Sequence, residues 1–280
     1  MTPAAHRDVT LRRGGTNLTV DPSLPEVRAR LQMPPFDSQA PIPVEYDQPV
    51  AWLPMNMDNS SGGQVWVTSD KWGPLKSHLL FTSYGRGTLF DVLLDEVDGV
   101  TQAAMVKFPL KFQTGLMRGR CNAKDGQIYV CGLRGWQTDG SKDGGFYRVR
   151  YTGAPVNTPA QFHAMKDGLR IEFTGELNAA SAADVANYAV EEWNYLYTGS
   201  YGSPEFSAAD PAAKKHDQVE VKSARLAKDK KTVLLELADF KPVDQLKVKF
   251  NLQAADGTAL QQELYGTIHK TRSAPVASVK

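Results

Sequence analysis

Gln127-Ile128-Tyr129-Val130-Cys131-Gly132-Leu133-Arg134-Gly135, closed by Phe146-Tyr147-Arg148-Val149, is the stretch that decides the fold class. Short apolar runs broken by glycine and aspartate turns are the pattern of antiparallel strands. An earlier stretch has the same shape. His78-Leu79-Leu80-Phe81-Thr82-Ser83-Tyr84-Gly85-Arg86-Gly87 is followed by Thr88-Leu89-Phe90-Asp91-Val92, so that Arg86-Gly87 and Arg134-Gly135 recur 48 residues apart. That spacing is close to the roughly 40 to 50 residues of a β-propeller blade.

Working outward, Phe90, Val92 and Leu94 fall on one side of a strand, as do Tyr147, Val149 and Tyr151. Both segments read as strands with one wet face. About two to three blades fit between residues 51 and 153, whereas a closed propeller takes about four to eight. The ring is therefore expected to be incomplete, with strand edges that call for upstream blades or another protein domain to cover them.

After Ala154-Pro155-Val156-Asn157-Thr158-Pro159 the alternation returns in Leu169-Arg170-Ile171-Glu172-Phe173, Val233-Leu234-Leu235-Glu236-Leu237 and Leu246-Lys247-Val248-Lys249-Phe250. Strand spacing over 160–270 suits an Ig-like β-sandwich. One short helix is expected at 181–188, started by Ser181 and Asp184 as a capping box. Residues 1–50 read as an irregular proline-rich segment, and 271–280 as a disordered tail. The fold class is thus all-β, an incomplete propeller followed by a sandwich.

With 32 basic and 31 acidic side chains the net charge is +1, and no run of one sign tracks a phosphate backbone, which excludes nucleic acid as the expected partner. No apolar stretch is long enough for a membrane span, and the N-terminus lacks the apolar core of a signal peptide. Cys121 and Cys131 flank a hairpin turn. A three-residue loop would set them opposite each other and shorter or longer loops would not, and free thiols are the favoured reading. No CxxC or CxxCH encodes a zinc ribbon or covalent haem, and no G-x-S-x-G elbow points to a serine hydrolase.

Several runs carry a resemblance. Pro49-Val50-Ala51-Trp52-Leu53-Pro54, Asp58-Asn59-Ser60-Ser61-Gly62-Gly63, Trp72-Gly73-Pro74-Leu75, Gly115-Leu116-Met117-Arg118-Gly119-Arg120 and Gly132-Leu133-Arg134-Gly135-Trp136 resemble the late blades of glucose/sorbosone dehydrogenase-like propellers. The likeness extends through Trp193-Asn194-Tyr195 and covers roughly residues 49–270. It implies a large, modular, exported protein, periplasmic or extracellular. It also implies pyrroloquinoline quinone and calcium as cofactors of the complete parent and a c-type cytochrome domain as a partner. The blades that hold the histidine base and most calcium ligands in such enzymes do not correspond to anything here, so neither catalytic nor metal-ligating residues are assigned. The chain is expected to be a C-terminal portion without turnover of its own; the alternative is a non-catalytic scaffold or carbohydrate-binding module.

Arg118 and Arg120 are the residues that the resemblance sets against an anionic quinone. A period of two puts both on one side of their strand, and the alternative is a solvated or ion-paired role. The other candidates read as structural. Arg86 and Arg134 share a blade-turn role, and His78 is a hydrogen-bonded edge residue rather than a base. Asp58-Asn59 and Asp139 with Asp143 are solvated turns rather than calcium loops. Trp193, Tyr195, Tyr197 and Tyr201 form an aromatic ladder rather than a sugar platform. The five histidines show no metal-ligand spacing.

Overall fold

The computed structural model describes residues 9–13, 16–20, 47–196 and 202–276. The chain divides into two units, 1–48 and 49–280. In the first, β1 (Val9–Arg13) and β2 (Thr16–Val20) pair antiparallel, with Val9 opposite Val20 and Leu11 opposite Leu18. Strand alternation here wins locally in a segment read as irregular. Residues 21–46, with most of its prolines, lie outside the described residues.

The second unit is all-β apart from short helical turns and one short helix. Its strands are β3 (Ser61–Trp66), β4 (Leu79–Ser83), β5 (Thr88–Val97), β6 (Val100–Lys107), β7 (Gly115–Cys121), β8 (Ile128–Leu133), β9 (Gly144–Val149), β10 (Pro159–Ala164), β11 (Gly168–Phe173), β12 (Tyr188–Tyr195), β13 (Glu205–Phe206), β14 (Asp217–Val219), β15 (Val221–Leu226), β16 (Thr232–Leu237), β17 (Val243–Gln253) and β18 (Ala259–Ile268). They form a nine-stranded sheet in the order β13-β12-β17-β18-β6-β5-β4-β3, with β14 also on β12, a four-stranded sheet β10-β11-β16-β15 and a three-stranded sheet β7-β8-β9. Among the described residues no sheet closes on itself.

The joint that organises this unit is β6 against β18, where Ala104 faces Gly266, Met105 faces Tyr265 and Val106 faces Leu264. It hydrogen-bonds the first half of the unit to the second, across the linker that separates two domains in the sequence reading. One face of the long sheet then serves two smaller ones. Leu93, Val106, Leu246, Val248, Phe250 and Leu264 meet Phe162, Leu169, Ile171, Phe173, Val233 and Leu235 of the four-stranded sheet. Val65, Leu80 and Leu89 meet Leu116, Ile128 and Val130 of the three-stranded sheet. Burial of these aliphatic and aromatic groups is the main drive for the assembly.

In β5 the alternation finds the dry face only in part: Phe90 is buried as expected, but so is the opposite face, which carries two aspartates. Leu89, Asp91, Leu93 and Asp95 face the interior, while Val92 is half-buried and Leu94 exposed on the other side. Buried carboxylates persist only with partners, and both have them. Asp91 takes His78 Nδ1 at 2.7 Å. Asp95 accepts both arms of Arg272 at 2.6 and 2.9 Å, His163 Nδ1 at 2.9 Å, Ala164 N–H at 3.0 Å and Gln102 Nε2 at 3.0 Å. Burial alone would raise the Asp95 pKa; the donors from His163, Arg272, Ala164 and Gln102 outweigh it and hold the carboxyl well below its ordinary value.

The same knot orders the segment read as a tail. Besides Arg272, Val276 is buried and its N–H donates to Asp167 Oδ1 at 2.6 Å. Residues 277–280 lie outside the described residues. The helix α1 (Ala179–Ala183) starts earlier than expected because Asn178, not Ser181, is its cap: the Asn178 side chain accepts the Ser181 N–H at 3.0 Å. Asp184 instead caps the following 3-10 turn, Val185–Asn187.

Candidate functional site

Arg118 and Arg120 leave β7 on the same, solvent-facing side. A β-bulge between Leu116 and Arg118 resets the alternation, so Leu116 points in and Arg118 out. Gly119 between them must be small: a Cβ there would come within 2.6 Å of Val65 Cγ2. Across the sheet the pairing makes two rows, Arg118 beside Cys131 beside Phe146, and Arg120 beside Tyr129 beside Arg148. The opposite face of β8 and β9 carries Ile128, Val130, Tyr147 and Val149 into the core.

The exposed rows hold an unusual combination for open surface. Phe146 is 72% exposed and stacks on Tyr129, with ring centroids 5.5 Å apart and planes 22° apart. Arg118 and Arg120 each donate one Nη1 hydrogen bond to the preceding carbonyl, at 2.7 Å, and neither forms an ion pair among the described residues. Arg148 differs, since it reaches the Tyr129 hydroxyl, which donates to Asp125 Oδ2 at 2.7 Å. Gln127 N–H and that hydroxyl, helped by Lys71 and Arg148, lower the Asp125 pKa, so its negative charge persists at the edge of the face. Arg118, Arg120, Asn122, Tyr129, Cys131 and Phe146 rim a shallow hollow of about 540 Å³.

No family model, curated protein or solved structure matches this chain. Cys121 and Cys131 are free thiols. The register pairs Cys121 with Ile128 and Cys131 with Arg118, because the β7–β8 loop is longer than the three residues that would align the two sulfurs.

The remaining candidates are dispersed. Arg86 pairs with Asp139 at 3.2 Å and donates to the Met55 carbonyl at 2.9 Å, and Arg134 pairs with Asp143 at 2.9 Å, so both arginines brace loops. Asp58 is no solvated turn residue: it is buried, accepts Ser83 Oγ at 2.6 Å, and burial raises its pKa. Trp193 is buried and stacks on His216 at 3.8 Å, and His216 lies between Glu205 at 2.6 Å and Glu191 at 3.3 Å. Tyr195 packs against Trp52 at 5.3 Å; Tyr197 and Tyr201 lie outside the described residues. Among the described residues no three histidine, cysteine or carboxylate side chains gather into a metal site, and no helix is long and apolar enough to cross a membrane.

Sequence reasoning missed Tyr129, Phe146 and Arg148 as companions of the arginine pair. The alternation of β8 and β9 carries part of the signal, because it already separates Ile128 and Val130 from Tyr129 and Cys131. The cross-strand register, which brings the rows together, depends on a bulge that no periodicity announces.

Proposed function

We propose that this chain is the C-terminal portion of an exported sugar or alcohol dehydrogenase-like redox protein, and that it binds within that assembly without turning over substrate alone. The observation that supports this reading is the pair of guanidinium groups, Arg118 and Arg120, which form no ion pair among the described residues and stand beside the stacked rings of Tyr129 and Phe146. Guanidinium forks match carboxylates and exposed rings match flat aromatic faces. Pyrroloquinoline quinone, a planar polycarboxylate, has both features, and these residues fit it in charge and shape. When bound it supplies the oxidising capacity, and the residues of this chain hold and orient it. Calcium, which the resemblance also implies, is assigned in this reading to the upstream blades of the parent. Those blades and a c-type cytochrome domain are the partners in this reading, and the periplasm or cell exterior is the compartment.

A second reading, a non-catalytic scaffold or carbohydrate-binding module, is favoured by one feature. Phe146 is open to solvent at its outer face and offers a platform for a sugar ring.

Calorimetric titration of the purified chain with pyrroloquinoline quinone separates the two. Binding is expected to weaken as salt rises and to fall several-fold in each of Arg118→Ala and Arg120→Ala. With calcium added and aldoses or polyols supplied, no dye reduction is expected. Turnover above the no-enzyme control would overturn the absence of catalysis in this chain. Binding indifferent to both substitutions would remove the arginine face from the site. Sugar binding that depends on Phe146, without quinone binding, would establish the second reading instead.

A further inference from the structure

The three-stranded sheet has two edges, and they differ. On the β7 side the main chain of β3 lies close, since a Cβ on Gly62 would come within 2.3 Å of the Leu116 carbonyl oxygen and one on Gly63 within 3.2 Å of that of Met117. On the β9 side no strand lies beyond Gly144–Val149 among the described residues, and a Cβ on Gly144 would meet nothing within 4 Å. The ladder fixes which groups this open edge offers. Arg134 N–H donates to the Asp143 carbonyl at 3.1 Å, one step past the paired residues Leu133 and Gly144. Alternate residues of an antiparallel strand turn their main chains to opposite sides. Gly145, Tyr147 and Val149 therefore bond to β8, while the N–H and C=O of Gly144, Phe146 and Arg148 point away from it.

Open edges are ordinarily blunted by lysine, proline or a bulge. β9 reads Gly-Gly-Phe-Tyr-Arg-Val and pairs with β8 without a break in register, so it has none of these. Its solvent-facing side chains, Phe146 and Arg148, are both exposed and complement each other. Two antiparallel copies of β9 related by a two-fold axis through Tyr147 set Phe146 of each opposite Arg148 of the other. Each ring then receives a guanidinium cation, and each such pair exchanges main-chain hydrogen bonds, because both residues offer theirs to the open side. An axis through Arg148 would put two like charges directly opposite each other, which destabilises. An axis through Phe146 would leave each Arg148 facing the bare Gly144. Arg148 also reaches the Tyr129 hydroxyl within its own chain, and a guanidinium has donors enough to keep that contact while its flat face meets the ring.

We infer that β9 pairs with β9 of a second copy of this chain in the Tyr147-centred register, joining the two three-stranded sheets into one. A two-fold contact is closed, so it covers both edges and leaves none to propagate. The pairing requires neither Arg118 nor Arg120, and it stands or falls apart from the quinone reading.

Sedimentation of the full chain over a range of concentrations tests it, and a reversible monomer–dimer equilibrium is expected. Phe146→Lys sets a second cation opposite Arg148 and should weaken the dimer about tenfold or more. Phe146→Glu brings a carboxylate to the same guanidinium and should leave the dimer within a few-fold of wild type. Position 146 is open to solvent, and circular dichroism would confirm that both variants keep the fold. Hydrogen exchange in the peptide Gly144–Val149 should slow as wild-type concentration rises. A chain that stays monomeric throughout, a dimer indifferent to Phe146→Lys, or one that Phe146→Glu weakens as much as Phe146→Lys would each overturn the assignment.

Discussion

Asp95→Ala is expected to lower the stability of the folded chain by about 3–5 kcal/mol, the usual cost of removing one partner from a buried ion pair. Asp95 has no exposed side-chain surface, and its two oxygens collect donors from four residues at three places in the chain: Arg272, His163 with Ala164, and Gln102. Gln102 extends the network, donating to the Lys270 carbonyl and accepting the His269 and Lys270 N–H groups. Removing the carboxylate leaves the Arg272 charge without its partner and releases the chain end that it pins. Urea unfolding should show the lower midpoint, and Arg272→Ala combined with Asp95→Ala should cost less than the sum of the two alone. The pH dependence has a definite sign. A carboxyl whose folded pKa is depressed contributes its stability above its ordinary value of 3.8 and loses it as the pH falls below that value. Wild-type stability should therefore drop on acidification below about pH 4, and Asp95→Ala should flatten that part of the profile. An unchanged urea midpoint would show that the knot is decorative.

Phe162→Ala should cost a comparable amount, about 3–5 kcal/mol, through the cavity it leaves. Phe162 is fully buried on β10 and reaches across to the long sheet, where a Cβ on Gly266 would lie 3.1 Å from its Cζ. Gly266 faces Ala104 at the β6–β18 joint. The ring therefore lies against the place where both halves of the unit meet, and its loss should loosen strands on both sides of the linker. A loss confined to residues after 160 would contradict that geometry.

The strand content was legible because side chains alternate between two environments. Tyr147 and Val149 point into the core and Arg148 out, as their order suggests. β5 misled for a physical reason: Asp91 and Asp95 look like solvent-facing residues until His78, His163 and Arg272 are brought to them by long-range contacts. Asp58 misled likewise, since a short Asp-Asn-Ser-Ser-Gly-Gly run has the composition of a surface turn, and only its contact with Ser83 explains its burial. For the candidate site, Arg118 and Arg120 could be placed on one face from period two alone. Their neighbours Tyr129 and Phe146 depended on register. The pairing of β6 with β18, about 160 residues apart, left no local trace, because hydrogen bonds between main chains are indifferent to which side chains flank them.

Native-state hydrogen exchange on the full chain, read by mass spectrometry at rising sub-denaturing urea, tests whether one sheet unites both halves of the second unit. Peptides from Val100–Lys107 and Ala259–Ile268 should lose protection together, since Ala104–Val106 and Leu264–Gly266 pair with each other. Free exchange of Val100–Lys107 while Ala259–Ile268 stays fully protected would mean that the two halves are separate bodies and that the shared sheet does not form.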